Sequence, residues 1–332
     1  MKILVLNERD MRSVFTMKDA IQADKDALAL HAAGESNIPL RANLDVPEHN
    51  GQSLYMYGYA AKANALGVKI VSTYPDNINK GIPSVPATMV LLNSETGETC
   101  SFMDGTYLTR VRTGAVAGLA TDLLARRDSK VFAVIGTGGQ APGQIEAVLT
   151  VRPEIELVKV YDLNMERAKE AAAQMTEFFS GKFPAKFVAS QTAAEAVDGA
   201  DIITTITISK NPVFDGRLVK KGAHINGVGS YTPELSEIDE YILINADKVY
   251  IDTSDALEES GDFIKPIEKG IYSADRITGE LGALINGSII GRESNDEITF
   301  FETTGSAVLD IVTAQRIYEK AVEKGIGQTI EL

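Results

Sequence analysis

Apolar positions recur along this chain in two rhythms, and the change from one to the other divides it. In the first hundred residues short apolar runs read as strands: Ile3 to Leu6, Leu54 to Tyr59, Gly67 to Thr73, Ala87 to Leu92 and Thr99 to Met103. The last two are joined through Asn93-Ser-Glu-Thr-Gly-Glu98 as a hairpin with a glycine-containing loop. One helix interrupts them, capped by Thr16 and reaching about to His31, with Ala20, Ile21, Asp24, Ala27 and Leu28 on related turns. This part is antiparallel in character. From Val131 onward strand and helix alternate, in units over 131–151, 157–179 and 187–197, followed by strands near 201–206, 223–226 and 248–251. Such alternation predicts a parallel sheet with helices on both faces. Between the two regions Thr106 to Ala125 has helical spacing. A last helix, about Gly305 to Lys324, follows a strand from Glu297 to Phe301 and is expected to pack on the first region.

The junction at Val131 carries chemistry. The apolar run Val131 to Ile135 enters Gly136-Thr-Gly-Gly-Gln-Ala141, which fits G-x-G-x-x-G/A, and Ile145, Val148 and Leu149 continue at helical spacing. Gly136 permits the sharp exit from the strand, Gly138 lets backbone approach a pyrophosphate, and Ala141 lets the helix sit against the sheet. The helix N-terminus offers N–H groups and a positive dipole end to the anion, and Pro142 suits the first turn. A glycine triplet alone marks any tight turn. The second strand, Leu157-Val-Lys-Val-Tyr-Asp162, strengthens the reading, because it ends in an acid about 20 residues on, where a ribose-binding carboxylate belongs. Neither Leu163 nor Asn164 could neutralise a 2′-phosphate, so the cofactor expected is NAD; the plainer role for Asp162 is a turn or capping acid.

Composition narrows the partners. A chain of 332 residues is comfortable for two domains, and a formal charge of −14 argues against nucleic acid or an anionic membrane surface. The single cysteine, Cys100, has no internal disulfide partner, the apolar run after Met1 is short for a signal peptide, and the protein is expected in the cytoplasm. Three scattered histidines, His31, His49 and His224, make no metal-ligand cluster, so no metal is expected.

Three cations stand in places where cations are uncommon. On the helix 106–125, Leu108, Val116, Leu119 and Leu123 all lie within about 40° of Arg112 at about 100° per residue. Arg112 thus projects from the apolar stripe, while Arg110 points the opposite way, toward solvent. A buried charge needs a partner, and the nearest helix acid, Asp122, lies well round the cylinder. The partner is either a carboxylate of the protein or one of a substrate. Lys69, in the strand-like Gly67-Val-Lys-Ile-Val, either snorkels from a sheet edge or faces a polar cavity. Arg41 follows Pro39 in an extended stretch and alone reads as a surface charge.

Taken in order, Pro39-Leu-Arg41, Gly67-Val-Lys-Ile-Val71, Pro83-Ser-Val-Pro-Ala-Thr88, Met103-Asp-Gly105, Arg112-Thr-Gly-Ala115, Gly136-Thr-Gly-Gly-Gln-Ala141, Ile225-Asn-Gly-Val-Gly-Ser230 and Asp296-Glu-Ile-Thr-Phe300 resemble the ornithine cyclodeaminase/mu-crystallin family over nearly the whole chain. The resemblance implies an α/β protein in two parts. Residues 1–120 and 306–332 would form a mixed α+β substrate-binding and dimerisation domain from both chain ends, and residues 121–305 a Rossmann-type doubly wound parallel sheet. It assigns Arg41, Lys69 and Arg112 to the carboxylate of an amino or imino acid. To the cofactor it assigns Gly136, Thr137, Gly138, Gly139, Gln140, Ala141 and Asp162, with Thr113, Thr205, Val228 and Gly229. It also implies a homodimer.

One departure shifts the expected chemistry. The cyclodeaminases carry an aspartate after Asn-x-Val-Gly-Gly, whereas Asn226-Gly-Val-Gly-Ser-Tyr-Thr-Pro233 has Tyr231 there. A phenol, with an ordinary pKa near 10, cannot act as a carboxylate base. The expectation is therefore hydride transfer between NAD(H) and C2 of a small α-amino or cyclic α-imino acid, with Lys69 handling the proton on nitrogen. Ornithine cyclodeamination is the enzymatic alternative, and a nucleotide-holding protein without turnover the other; retention of all three cations speaks against the latter.

Overall fold

The computed structural model describes residues 1–332, the side chain of Ile78 apart. Two compact units emerge, Met1–Arg112 with Ser306–Leu332, and Thr113–Gly305. The division falls between 112 and 113, inside the helix Gly105–Leu124, rather than between 120 and 121.

In the first unit an eight-stranded sheet runs in the order Gln328–Glu331, Lys2–Leu6, Thr99–Asp104, Ala87–Leu92, Ala65–Thr73, Gly51–Ala60 and Ser36–Asn37, with Ala42–Val46 also paired to Gly51–Ala60. Pairing is antiparallel except between Lys2–Leu6 and Thr99–Asp104. Because strand side chains alternate between faces, register decides what each face is made of. Met56 stands opposite Lys69, Lys69 opposite Met89 and Met89 opposite Met103, so the lysine sits within a methionine row on one face. The helix Ala307–Lys324 covers that face, lying on strands Gly51–Ala60, Ala65–Thr73 and Ala87–Leu92 and beside the helix Met17–Ala32. A capping box between Thr16 and Asp19 starts Met17–Ala32. A short helix not anticipated from spacing, Glu8–Val14, precedes it, capped by Asn7.

The second unit is an eight-stranded sheet whose described pairings are all parallel: Lys186–Ala189, Leu157–Tyr161, Val131–Ile135, Ile202–Thr205, His224–Gly227, Thr299–Glu302, Lys248–Ile251, Gly279–Glu280. Both faces are buried, which is why the strands read as unbroken apolar runs. Phe132 and Val134 enter one core with Ile145, Val148 and Phe179, while Ala133 and Ile135 enter another with Ile242, Val249 and Phe263. Val131–Ile135 comes first in sequence but lies inside the sheet. Chain order therefore reverses between it and Ile202–Thr205, leaving a crevice beyond their carboxyl ends of the kind that takes nucleotides in doubly wound sheets.

Candidate functional site

Lys69 is fully buried in a central strand, not at an edge. Its Nζ donates to Asp310 Oδ1 at 2.7 Å. Arg112 Nε lies 2.9 Å from the same oxygen; its N–H is not aimed along that line, so this is an ion pair and not a hydrogen bond. The partner left open for Arg112 is thus, in the first instance, a carboxylate of the protein. It comes from the C-terminal helix, far from Arg112 in sequence. The apolar stripe was also too narrow a picture, since every residue from Val111 to Thr121 is buried. Arg110 is not simply solvated either: its Nη2 pairs with Glu8 at 2.5 Å.

The local charge count still leaves a surplus. Asp24, wholly buried on Met17–Ala32, accepts from Thr313 Oγ1 at 3.1 Å, and burial holds its carboxyl well above the usual range despite Arg112 nearby. Its charged form is thereby disfavoured. Burial, then Arg112, lowers the Lys69 ammonium to about 7 against the pull of Asp310, with a smaller push from Arg41. Arg41, half-buried, is thereby within electrostatic reach of Lys69. Lys69 and Arg112 thus share one carboxylate, Asp310. A small acid would fit beside two cations that share one carboxylate.

At the crevice of the second unit, Gly136 adopts φ 108°, and a Cβ there would stand 2.8 Å from Ile206 O, so only glycine fits. A Cβ at Gly138 or Gly139 would meet nothing within 4 Å, which leaves open space in front of the loop. Among the described residues no protein acceptor takes the N–H groups of Gly138, Gly139 or Gln140. Gln140 Oε1 and Thr205 Oγ1 are buried polar atoms without a partner, and Thr205 ends the strand beside Val131–Ile135. Free donors at a helix N-terminus together with orphaned acceptors in the crevice fit a dinucleotide. Asp162 accepts from Thr137 Oγ1 at 2.6 Å and from Asn164 N at 2.9 Å. The turn role is therefore real, and the carboxylate retains lone pairs for a ribose. Thr113 O accepts from Gln144 at 3.0 Å, and Gly114 and Gly118 let the helix bearing Thr113 lie close on Ala141–Val151. Val228 N donates to Thr205 O at 3.0 Å, and Gly229 N to Glu237 at 2.7 Å.

Comparison with known proteins gives this arrangement a lineage: the model of the ornithine cyclodeaminase/mu-crystallin family matches residues 1–325. The chain belongs to that family. A Δ(1)-pyrroline-2-carboxylate reductase from Bacillus cereus is 39% identical over 99% of this chain and 100% of its own length. Among solved structures, Δ(1)-pyrroline-2-carboxylate reductase from Thermococcus litoralis, in complex with NADH and L-proline, superposes with a TM-score of 0.94 at 38% identity, covering 99% of this chain and 100% of the other. An archaeal alanine dehydrogenase dimer with bound NAD gives 0.90 at 34%, covering 100% of both.

Proposed function

We propose that the protein is an NAD(H)-dependent oxidoreductase acting at C2 of a small cyclic α-imino acid, reducing the C=N bond to the amino acid. The observation that carries the reading is the buried pair of Lys69 and Arg112 sharing the single carboxylate of Asp310, with Arg41 in electrostatic reach of Lys69, in a chain whose other unit has a crevice fitted for a dinucleotide. The guanidiniums of Arg41 and Arg112 neutralise the substrate carboxylate and fix its orientation. Lys69, lowered to about 7, gives a proton to the imine nitrogen in reduction and takes one from the amine in the reverse direction. Thr137, Gly138, Gly139 and Gln140 hold the pyrophosphate, Asp162 the ribose, and Thr113, Thr205, Val228 and Gly229 the remainder. Bound NADH supplies the hydride.

The same reading extends to a homodimer; the archaeal relative is a dimer. What supports it is the sheet face turned away from Ala307–Lys324, where Tyr57, Val68, Val90 and Phe102 stand in one register row with Tyr59 and Ile70 beside them, Tyr57 remaining 41% exposed. Among the described residues no helix is long and apolar enough to cross a membrane, and the lone thiol of Cys100 suits a reducing cytoplasm.

The test is NADH oxidation with Δ(1)-pyrroline-2-carboxylate, piperideine-2-carboxylate, and pyruvate plus ammonia in parallel. Turnover is expected with a cyclic imino acid. Silence with all three discards the proposal, and turnover with pyruvate alone moves it to an alanine dehydrogenase.

A further inference from the structure

Glu237 is fully buried in the second unit, and no sequence pattern singled it out. Its two carboxylate oxygens each accept one backbone N–H, Oε1 from Thr207 at 2.5 Å and Oε2 from Gly229 at 2.7 Å. Those donors lie just beyond the carboxyl ends of two neighbouring parallel strands, Ile202–Thr205 and His224–Gly227. The Thr207 segment is also the one against Gly136: a Cβ on Gly136 would stand 2.8 Å from Ile206 O and 3.0 Å from Thr207 Cγ2. One carboxylate therefore ties together the wall behind the glycine loop and the loop bearing Val228 and Gly229.

The rest of Glu237 is anchored. Its N–H donates to Asp262 Oδ1 at 2.8 Å, its carbonyl accepts from Val213 N at 2.9 Å, and Ser236 N donates to Ser209 O at 2.8 Å. Asp262 Oδ1 also receives Ile238 N and Ser236 Oγ, both at 2.9 Å. Such a base leaves the Glu237 side chain little freedom except to reach forward. Gly229 completes the closure, since any Cβ there would collide with Thr207 O and lie 2.5 Å from Glu237 Oε2. Burial, and the neighbouring Asp262 charge, push the Glu237 carboxyl up to about 8 against the lowering effect of the same hydrogen bonds. Keeping an acid here is costly, and an apolar side chain would fill the space at less expense.

We infer that Glu237 is a positioning residue for the dinucleotide: acting through the backbones of Thr207 and Gly229, it sets the spacing of the two loops between which NAD(H) is held, without touching the cofactor. The inference rests on the proposed use of that crevice.

Glu237→Gln preserves volume, but the amide has one acceptor oxygen and turns an NH2 toward the second N–H. Binding of NADH to the whole protein without substrate, followed by its fluorescence, is expected to weaken about tenfold or more, the weight of a buried N–H left without an acceptor. The KM for NADH should rise by a similar factor, while kcat at saturating NADH changes less. Glu302→Gln, a neighbouring buried acid that bonds to neither loop, is the control and should leave NADH binding near wild type. Equal affinity in Glu237→Gln and wild type overturns the inference, as does equal weakening in both variants, which would mean general loosening. If Glu237→Gln does not fold, Glu237→Asp, which keeps the acid but is one methylene too short to reach both N–H groups, is read the same way. A wild-type protein that binds no NADH overturns the proposed function itself.

Discussion

Asp310→Asn isolates what the shared carboxylate does. The amide keeps the volume and one acceptor oxygen but removes the charge that lies 2.7 Å from Lys69 and 2.9 Å from Arg112. In the native cluster Asp310 alone among the influences on Lys69 raises its pKa; burial, Arg112 and Arg41 all lower it, and the balance is about 7. Losing one charge-assisted hydrogen bond is worth about 1.5–3 kcal/mol. At ~1.4 kcal/mol per pH unit, Lys69 in the variant titrates about one to two pH units lower than in the wild type. The assay is kcat/KM for NADH-dependent reduction of the imino acid, which reports the free enzyme. Reduction needs the ammonium, so wild-type activity falls as pH rises through about 7. Above both midpoints the variant is slower by about ten- to a hundredfold, and the gap closes as pH falls toward about 5. Ionisation of the imino acid cancels in the ratio of variant to wild type. In the oxidative direction the neutral amine is required, so activity rises with pH and the variant's limb moves to lower pH. A ratio independent of pH, or a limb that moves upward, would refute the reasoning and leave Asp310 a purely structural acid.

Three further outcomes follow from the same geometry. Lys69→Met completes the row of Met56, Met89 and Met103 and should fold; kcat is expected to fall about 10²–10⁴-fold while NADH binding, by fluorescence, is unchanged. Asp162→Ser removes the charge that would repel a 2′-phosphate, so the ratio of kcat/KM for NADPH to that for NADH should rise about tenfold or more. Glu302 is fully buried, burial holds its proton well above the ordinary range, and Oε2 has no hydrogen-bond partner. The folded state keeps a proton that the unfolded chain releases above the ordinary glutamate pKa, so stability falls as pH rises from there. Glu302→Gln abolishes that contribution: Tm between about pH 5 and 8 should slope less steeply than in wild type, and a steeper slope would count against the assignment.

Much of the fold was open to reading because it depends on local periodicity. The parallel sheet announces itself through apolar runs such as Val131–Ile135 that must satisfy two cores at once, and the glycine loop through a φ that only Gly136 tolerates. Elements fixed by tertiary pairing were not legible. Ser36–Asn37 and Ala42–Val46 are polar edge segments held by Gly51–Ala60, and Gln328–Glu331 is a strand because Lys2–Leu6 offers it an edge. Glu8–Val14 was hidden by its length, with only Met11 and Val14 buried.

The site was half legible for a related reason. A cation out of place can be seen in a sequence, because Lys69 interrupts a β-rich run and Arg112 an apolar helix, but its partner belongs to another element. Asp310 and Asp24 could have been suspected by the same test applied to acids: each lies fully buried in a helix, Asp310 in Ala307-Val-Leu-Asp-Ile-Val. Register then does what spacing cannot. It sets Lys69 level with three methionines under the C-terminal helix, so that Asp310 meets it, and whether the cluster awaits an anion depends on counting these groups together. An ionised Asp24 would give Lys69 and Arg112 a counterion each and make the group a closed structural network. Burial disfavours the charged form of Asp24, and the carboxylate that both Lys69 and Arg112 pair with is Asp310. The burial of one acid thus bears on whether the group is an ion-pair core or, as proposed, a place for a substrate carboxylate.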